Sequence, residues 1–439
     1  MHKAGKGLFF GSVFLINAIC CSPSKNASMT GQNSQDSSAR EEQNNIALED
    51  PFFINLFKLY PEWFDQVMAH KKDWNVQVIY TEINRKKNGE PELINHYFNT
   101  KDGAYFYPAS TVKLPVALLA LQKLNELKTA GINMNTPMLN LARYSGQSDV
   151  YNEPNSPDGN PTIANYIKKI FLVSDNDAFN RLYEFLGQEY INRELHKKGL
   201  SSAQILHRLD IFLSEDDNRH TNEIAFYDSS SQLVYQQPMQ FNTVQYDKRN
   251  DALGKGYYSA GVLKEGPMNF SKKNRISLND LHTILTGLIF PSAVKPSQRF
   301  NITNEDRNLV LQYMSMFPRE SVFPAYDSSY QDAYSKFILM GAGKEPMPSG
   351  IRIFNKEGDA YGHMIDVAYV VDFDKKIEFM VSAMIYCNED GILNDDKYDY
   401  ETIGKPFMKN LGQAIYNYEL NRPKKLQPDL SSFKFNYGK

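Results

Sequence analysis

The chain has 439 residues, of which 42% are apolar and 23% charged, and its formal net charge is −3. That length suffices for one large or two to three ordinary domains, and the apolar fraction is that of a globular protein with a sizeable core. The balanced charge and the lack of a basic run argue against a nucleic-acid partner, and no apolar run is long enough to span a membrane.

The N-terminus reads as an export signal. His2, Lys3 and Lys6 precede the apolar run from Leu8 to Ile16, which has signal-peptide length, so residues 1–21 read as a signal segment whose apolar part is expected to be removed. Cys20 and Cys21 end that segment, where a lipoprotein carries its lipidated cysteine. The expectation is an exported protein of the periplasm or cell envelope, held to the membrane by a lipid anchor, with simple secretion as the alternative. Cys387 is the third cysteine and stands alone in the mature chain, so no intrachain disulfide is expected. Residues 22–50 are mainly Ser, Asn, Gln, Asp and Glu and predict a flexible tether.

A globular body is expected over residues 51–422, followed by a tail, 423–439. Phe53, Leu56, Phe57, Phe64 and Val67 recur at helical spacing and predict one amphipathic helix from Pro51 to His70. The runs Val76–Tyr80 and Leu93–Phe98 flank Asn88-Gly89 and predict a β-hairpin, with Asn84 to Lys87 as a solvated loop.

The next stretch, Tyr107-Pro108-Ala109-Ser110-Thr111-Val112-Lys113-Leu114-Pro115, leads into a run too apolar for a surface helix. Ser110 is expected to open that helix, facing unpaired backbone N–H groups and the positive end of the helix dipole. Lys113 falls one turn later on the same face. A serine hydroxyl becomes nucleophilic when a neighbouring base takes its proton, and a lysine serves as that base once burial lowers its pKa. The pattern alone is weak, since Ser-x-x-Lys recurs at Ser22/Lys25, Ser292/Lys295 and Ser431/Lys434. The bland alternative is a helix-capping serine with a surface lysine.

Residues 128–340 read mainly as helices broken by loops such as Asn152 to Pro161. A helix from Ile163 to Leu172 gives way at Ser174-Asp175-Asn176 to another that begins near Asp177. That polar triplet is either a plain N-cap, or Ser174 offers a hydroxyl for proton relay and Asn176 an amide for a substrate carbonyl. The end of the chain is strand-rich: Ile351–Phe354, Ile365–Val371 and Ile377–Tyr386, then an amphipathic helix near Thr402–Leu420. Lys356-Glu357-Gly358 lies between the first two of these strands. The triplet Lys264-Glu265-Gly266 has the same sequence, so position, not composition, singles out Lys356.

Together, Ser110-Thr111-Val112-Lys113, Ser174-Asp175-Asn176 and Lys356-Glu357-Gly358 resemble the three motifs of class A β-lactamases and penicillin-binding serine hydrolases. The resemblance covers residues 51–420, with extra sequence between about 228 and 345. It implies an α+β fold in which 51–107 and 345–422 supply an antiparallel sheet flanked by helices and 108–344 a helical lobe. It also implies a serine acyl hydrolase acting on a β-lactam or related amide, the chemistry of antibiotic resistance. In that reading Ser110, Lys113, Ser174 and Lys356 are catalytic: nucleophile, base, proton relay and electrostatic support. Asn176, Gly358 and Asp359 bind substrate, with the N–H groups of Ser110 and Asp359 forming the oxyanion hole. The alternatives are a D-Ala-D-Ala carboxypeptidase acting on peptidoglycan peptide, or a catalytically weak lipid-tethered binding module.

The sequence departs from that family's pattern in three places. Glu357 replaces the usual hydroxyl residue and brings a negative charge near the expected docking point of a substrate carboxylate. Arg208-Leu209-Asp210 resembles the start of the loop that carries the deacylating glutamate, and the nearest glutamate is Glu215, taken here as its candidate. Asp366 stands where many class A enzymes have an arginine. No metal and no cofactor are expected, because the eight histidines lack ligand spacing and the acidic run Glu389 to Asp399 lacks a calcium-loop pattern. His363 is more simply a structural histidine than a group of the cleft.

Overall fold

Five runs rich in β-branched and aromatic residues pair into one antiparallel sheet: β1 (Gln77–Arg85), β2 (Pro91–Phe98), β3 (Ile351–Ala360), β4 (His363–Asp372) and β5 (Ile377–Tyr386), in the order β3-β4-β5-β1-β2. The computed structural model describes residues 48–127 and 131–438; the expected signal segment 1–21 and all but the last residues of the tether 22–50 lie outside the described residues. The two ends of the chain meet where β1 pairs with β5, Ile79 opposite Ser382. The fold is α+β.

Both faces of the sheet are covered, which is why β4 and most of β5 are apolar without strict alternation. On one face Val78, Tyr80, Val370, Phe379 and Val381 pack against α1 (Pro51–Lys58), α2 (Pro61–His70) and the closing helix α10 (Lys405–Asn421). On the other, Ile79, Ile83, Val367, Tyr369 and Met384 meet the helical lobe. The lobe contains α3 (Lys113–Leu127), α4 (Ile163–Val173), α5 (Asn176–Leu186), α6 (Gln188–Lys197), the short α7 (Glu215–Arg219), α8 (Leu278–Ile289) and α9 (Asn304–Ser315). No described helix is long and apolar enough to cross a membrane.

Three expectations are corrected. The single helix over 51–70 is two helices, because Pro61 lacks an N–H and starts α2 at its first position. Arg85 is not in a solvated loop: β1 runs through it, and its guanidinium grips the buried Glu378 carboxylate through Nε at 2.6 Å and Nη2 at 2.5 Å. The middle region is less helical than its pattern suggests. Met138–Leu141, Glu223–Tyr227 and Leu233–Gln237 form a three-stranded sheet, and Gly256–Ser259 with Val262–Glu265 a ribbon. The tail docks by burying Leu430 and Phe433, and the Tyr437 ring lies 4.0 Å from the Arg352 guanidinium.

A buried ion pair fixes the loop after α6. Arg208 donates to the Glu184 carboxylate and to the carbonyls of Asp217 (3.1 Å) and His220 (2.6 Å), while Glu184 also accepts from the Asn222 N–H at 2.7 Å. Both side chains are 4% exposed, so removing one partner strands the other charge in the interior. Arg208→Met is expected to lower stability by about 3–5 kcal/mol. Urea unfolding midpoints of the two proteins check this.

Candidate active site

The chain enters the site through a strained turn. Ala109 has φ +46°, and residues Ala109–Val112 form one 3-10 turn that runs into α3. The helix therefore begins one turn later than expected, at Lys113, and Ser110 sits on the tight turn before it. The turn is held by Thr111, whose Oγ1 and N–H both donate to the Pro108 carbonyl, at 2.6 and 3.1 Å. A non-glycine residue in the left-handed region is costly and persists only where its surroundings enforce it. Here the enforcement comes from α3, whose residues Leu114 to Leu121 are all buried.

Lys113 is the first residue of that helix, and its side chain is buried with it. Its Nζ lies 2.8 Å from Ser110 Oγ and 2.7 Å from Asn176 Oδ1, and it also contacts the Ser174 carbonyl oxygen. Burial first, and the nearby Lys356 second, hold its pKa well below the ordinary value of 10.5. A neutral lysine has two N–H donors and one lone pair. The Ser174 carbonyl and Asn176 Oδ1 only accept, so they take both donors, and the lone pair is left for the Ser110 hydroxyl proton.

The Ser174-Asp175-Asn176 triplet is a helix junction and a site at once. Ser174 ends α4 in the left-handed conformation, φ +59°, and Asp175 caps α5 by accepting from the Ala178 N–H at 2.7 Å. Lys169 ties the junction to the loop before α4, pairing with Glu153 at 3.0 Å and with Asp175 at 3.4 Å. This frees Ser174 and Asn176 to face Ser110. Ser174 Oγ lies 3.3 Å from Lys113 Nζ and accepts from Lys356 Nζ at 2.8 Å.

Lys356 and its neighbours lie on β3, which continues six residues beyond the expected Phe354. Lys356 is buried, and its other two donors go to Glu357, to the backbone carbonyl at 2.9 Å and the carboxylate at 2.7 Å. The negative charge that Glu357 brings to the site is thus paired to Lys356 itself. Gly358 presses on the nucleophile turn. A Cβ there would lie 2.6 Å from the Ser110 nitrogen and 2.9 Å from that of Thr111, so only glycine fits.

These residues open into a groove with two compartments, of about 530 and 480 Å³. Ser110, Asn176 and Asp359 line both. The first compartment is completed by Ser174, Glu357, Tyr334 and Lys405, the second by Asp210, Tyr361, Asp396 and Tyr398. Desolvation by the groove walls, then the Glu357 carboxylate, push the Asp359 carboxyl above its ordinary value, although the residue itself is exposed at the groove's surface.

Glu215 does not join this assembly. It starts α7, pairs with Lys272 and with Arg219 at 3.5 Å, and lines a different cavity. The loop carboxylate that does line the Ser110 groove is Asp210, at φ +55°. Asp366 is no substrate ligand either: fully buried, it accepts from the N–H groups of Phe337 (2.9 Å) and Ile338 (3.0 Å) and from Asn355 Nδ2 (2.8 Å). His363 is buried against Tyr386, and burial lowers its pKa to about 3. Among the described residues no group of three or more His, Cys, Asp or Glu is placed to hold a metal ion.

The model of the beta-lactamase enzyme family matches residues 62–418. Among solved structures, a class A beta-lactamase from Clostridium kluyveri DSM 555 is 15% identical, with 81% of this chain and 98% of that chain covered at a TM-score of 0.44. A beta-lactamase from Sphaerobacter thermophilus DSM 20745 is 14% identical, with 82% and 96% covered at 0.41. One from Xanthomonas campestris pv. campestris is 11% identical, with 81% and 97% covered at 0.45. No curated protein matches. With Ser110, Lys113, Ser174 and Lys356 in one hydrogen-bonded chain and the family model matched over most of its length, this chain belongs to the beta-lactamase enzyme family.

Proposed function

We propose that the protein is a class A-like serine acyl hydrolase that opens a β-lactam or a related cell-wall amide through an acyl-enzyme on Ser110. The observation that carries this reading is the 2.8 Å contact between Lys113 Nζ and Ser110 Oγ, made by a lysine whose donors are committed elsewhere. Lys113 takes the Ser110 proton as Oγ bonds to the carbonyl carbon. The N–H groups of Ser110 and Asp359 hold the oxyanion. As the C–N bond breaks, Ser174 gives its proton to the leaving nitrogen and is reprotonated from Lys113, with Lys356 orienting its oxygen. Water then releases the acyl group.

Asp210, a carboxylate that lines the groove, activates that water, with one methylene less reach than a glutamate. Asp210→Asn is expected to leave acylation nearly intact and to prolong the acyl-enzyme by about 10²-fold or more, the usual worth of a general base. The decay of a mass-tagged adduct checks this. Glu357 competes with a substrate carboxylate for Lys356. Glu357→Thr frees that ammonium and is expected to lower KM for penicillins about tenfold, the equivalent of about 1.4 kcal/mol, as read by initial rates.

A fluorescent penicillin retained after denaturation by the wild-type protein, and not by Ser110→Ala, supports the reading; equal labelling of both sinks it. Export and lipid anchoring at Cys20 or Cys21 complete the proposal and would set the groove beside peptidoglycan. Fatty-acid labelling of the full chain that survives Cys20→Ser, Cys21→Ser would refute the anchor.

A further inference from the structure

The later part of the sequence inserted after residue 228 lines the groove through Tyr334, whereas its segment 245–273 closes a second cavity of about 750 Å³. The opposite wall is the outer side of loop 206–215. We propose that this cavity is a binding site for an amphipathic anion, a phosphate or carboxylate joined to a flat apolar group.

Charge is the first argument. Arg219, Lys248, Arg249, Lys272 and Lys273 line the cavity, against the carboxylates of Glu215 and Asp247. Glu215 is already shared by Lys272 and Arg219, and Arg249 pairs with Asp251 at 3.1 Å. Among the described residues no carboxylate lies within ion-pair distance of Lys248 or Lys273. Lys273 is half-buried, and burial holds its pKa below the ordinary value, as expected of an ammonium without a counter-ion. An anion supplies what these two lysines lack.

Apolar surface is the second. Phe212 is 101% exposed and Ile211 49%, and both line the same cavity. The two adjacent side chains offer an exposed apolar edge against which a flat apolar group can pack, and the positive charge around it selects an anionic partner over a neutral one.

The position gives the site its interest. The His207 ring, on the cavity side, stacks parallel to Tyr107 at 6.1 Å, and Tyr107 lines the Ser110 groove. Lys273 lies 5.8 Å from the ring of Tyr361, another groove residue. Along one loop, Leu209 and Asp210 face the groove while Ile211 to Leu213 face the cavity. A ligand in the cavity therefore packs against the back of the groove wall.

The test is calorimetric titration of the full chain with phenyl phosphate at low ionic strength. Saturable binding of one equivalent is expected, at least tenfold tighter than inorganic phosphate or phenol alone. Lys248→Glu combined with Lys273→Gln should weaken it at least tenfold at an unchanged unfolding temperature, and Phe212→Ser, a change at a fully exposed site, should weaken it severalfold. Ser110→Ala should bind as the wild type does, whatever that variant does to β-lactams. No saturable binding, binding indifferent to both sets of substitutions, or binding lost in Ser110→Ala would overturn the proposal.

Discussion

Lys113→Met is expected to reduce acylation of Ser110 by roughly 10³-fold or more, the worth of a base that generates the nucleophile. Methionine is close to lysine in length and apolar, so it removes the lone pair without adding volume to a fully buried position. Lys113→Arg should fail equally, because a guanidinium stays protonated and has no lone pair to offer. The pH dependence separates this loss from simple disruption. The active form of Lys113 is neutral, and its pKa lies below 10.5 through burial and the charge of Lys356. The neutral fraction rises with pH through that lowered pKa. Wild-type acylation should therefore climb from acid pH to a plateau whose midpoint lies below 10.5, and the residual rate of Lys113→Met should lack that limb. Stopped-flow acylation rates from pH 5 upward read both effects.

Gly358→Ala is expected to lower the acylation rate by about 10²-fold, the typical cost of a displacement near 1 Å at reacting groups. The added Cβ would lie 2.6 Å from the Ser110 nitrogen, 2.9 Å from the Thr111 nitrogen and 3.1 Å from Ala109 Cβ. None of these atoms is the free end of a flexible side chain. The turn that carries them is already strained at Ala109, so relief must come from β3 moving away from Ser110. That separates the Asp359 N–H from its place opposite the nucleophile. The same overpacking should lower stability by about 1–3 kcal/mol, read as a shift in the urea midpoint beside the kinetic loss.

Local signals in the sequence carry the helices that hold the site. Thr162 and Asp175 each cap a helix with a side-chain oxygen, as their positions before apolar periodic runs suggest. The fully apolar run after Lys113 announces burial, and burial is what lowers the lysine's pKa. Lys356 could be chosen over Lys264 because strands surround it, and Lys264 indeed lies on the exposed ribbon. What stayed hidden depends on partners far along the chain. Arg85 looks like a loop residue until Glu378 lies beside it, 293 residues away. The end of β3 is polar and shows no alternation, so its extension to Ala360 is fixed only by pairing with β4. Glu215 attracts attention by residue type, whereas Asp210, held in the left-handed conformation, is the carboxylate of that loop that lines the groove with Ser110. Aspartate tolerates that conformation better than most residues, yet its presence in a loop does not announce it. The second cavity was equally invisible, since its lysines come from a segment with no periodic pattern.

Covalent acylation of Ser110 is the central step, and time-resolved intact-mass spectrometry of the mature protein with one penicillin and one cephalosporin tests it most directly. The expected result is a single adduct of the drug's mass, mapped to the peptide containing Ser110, absent in Ser110→Ala and decaying as hydrolysed drug accumulates. Unmodified protein together with intact drug over the same period would contradict it.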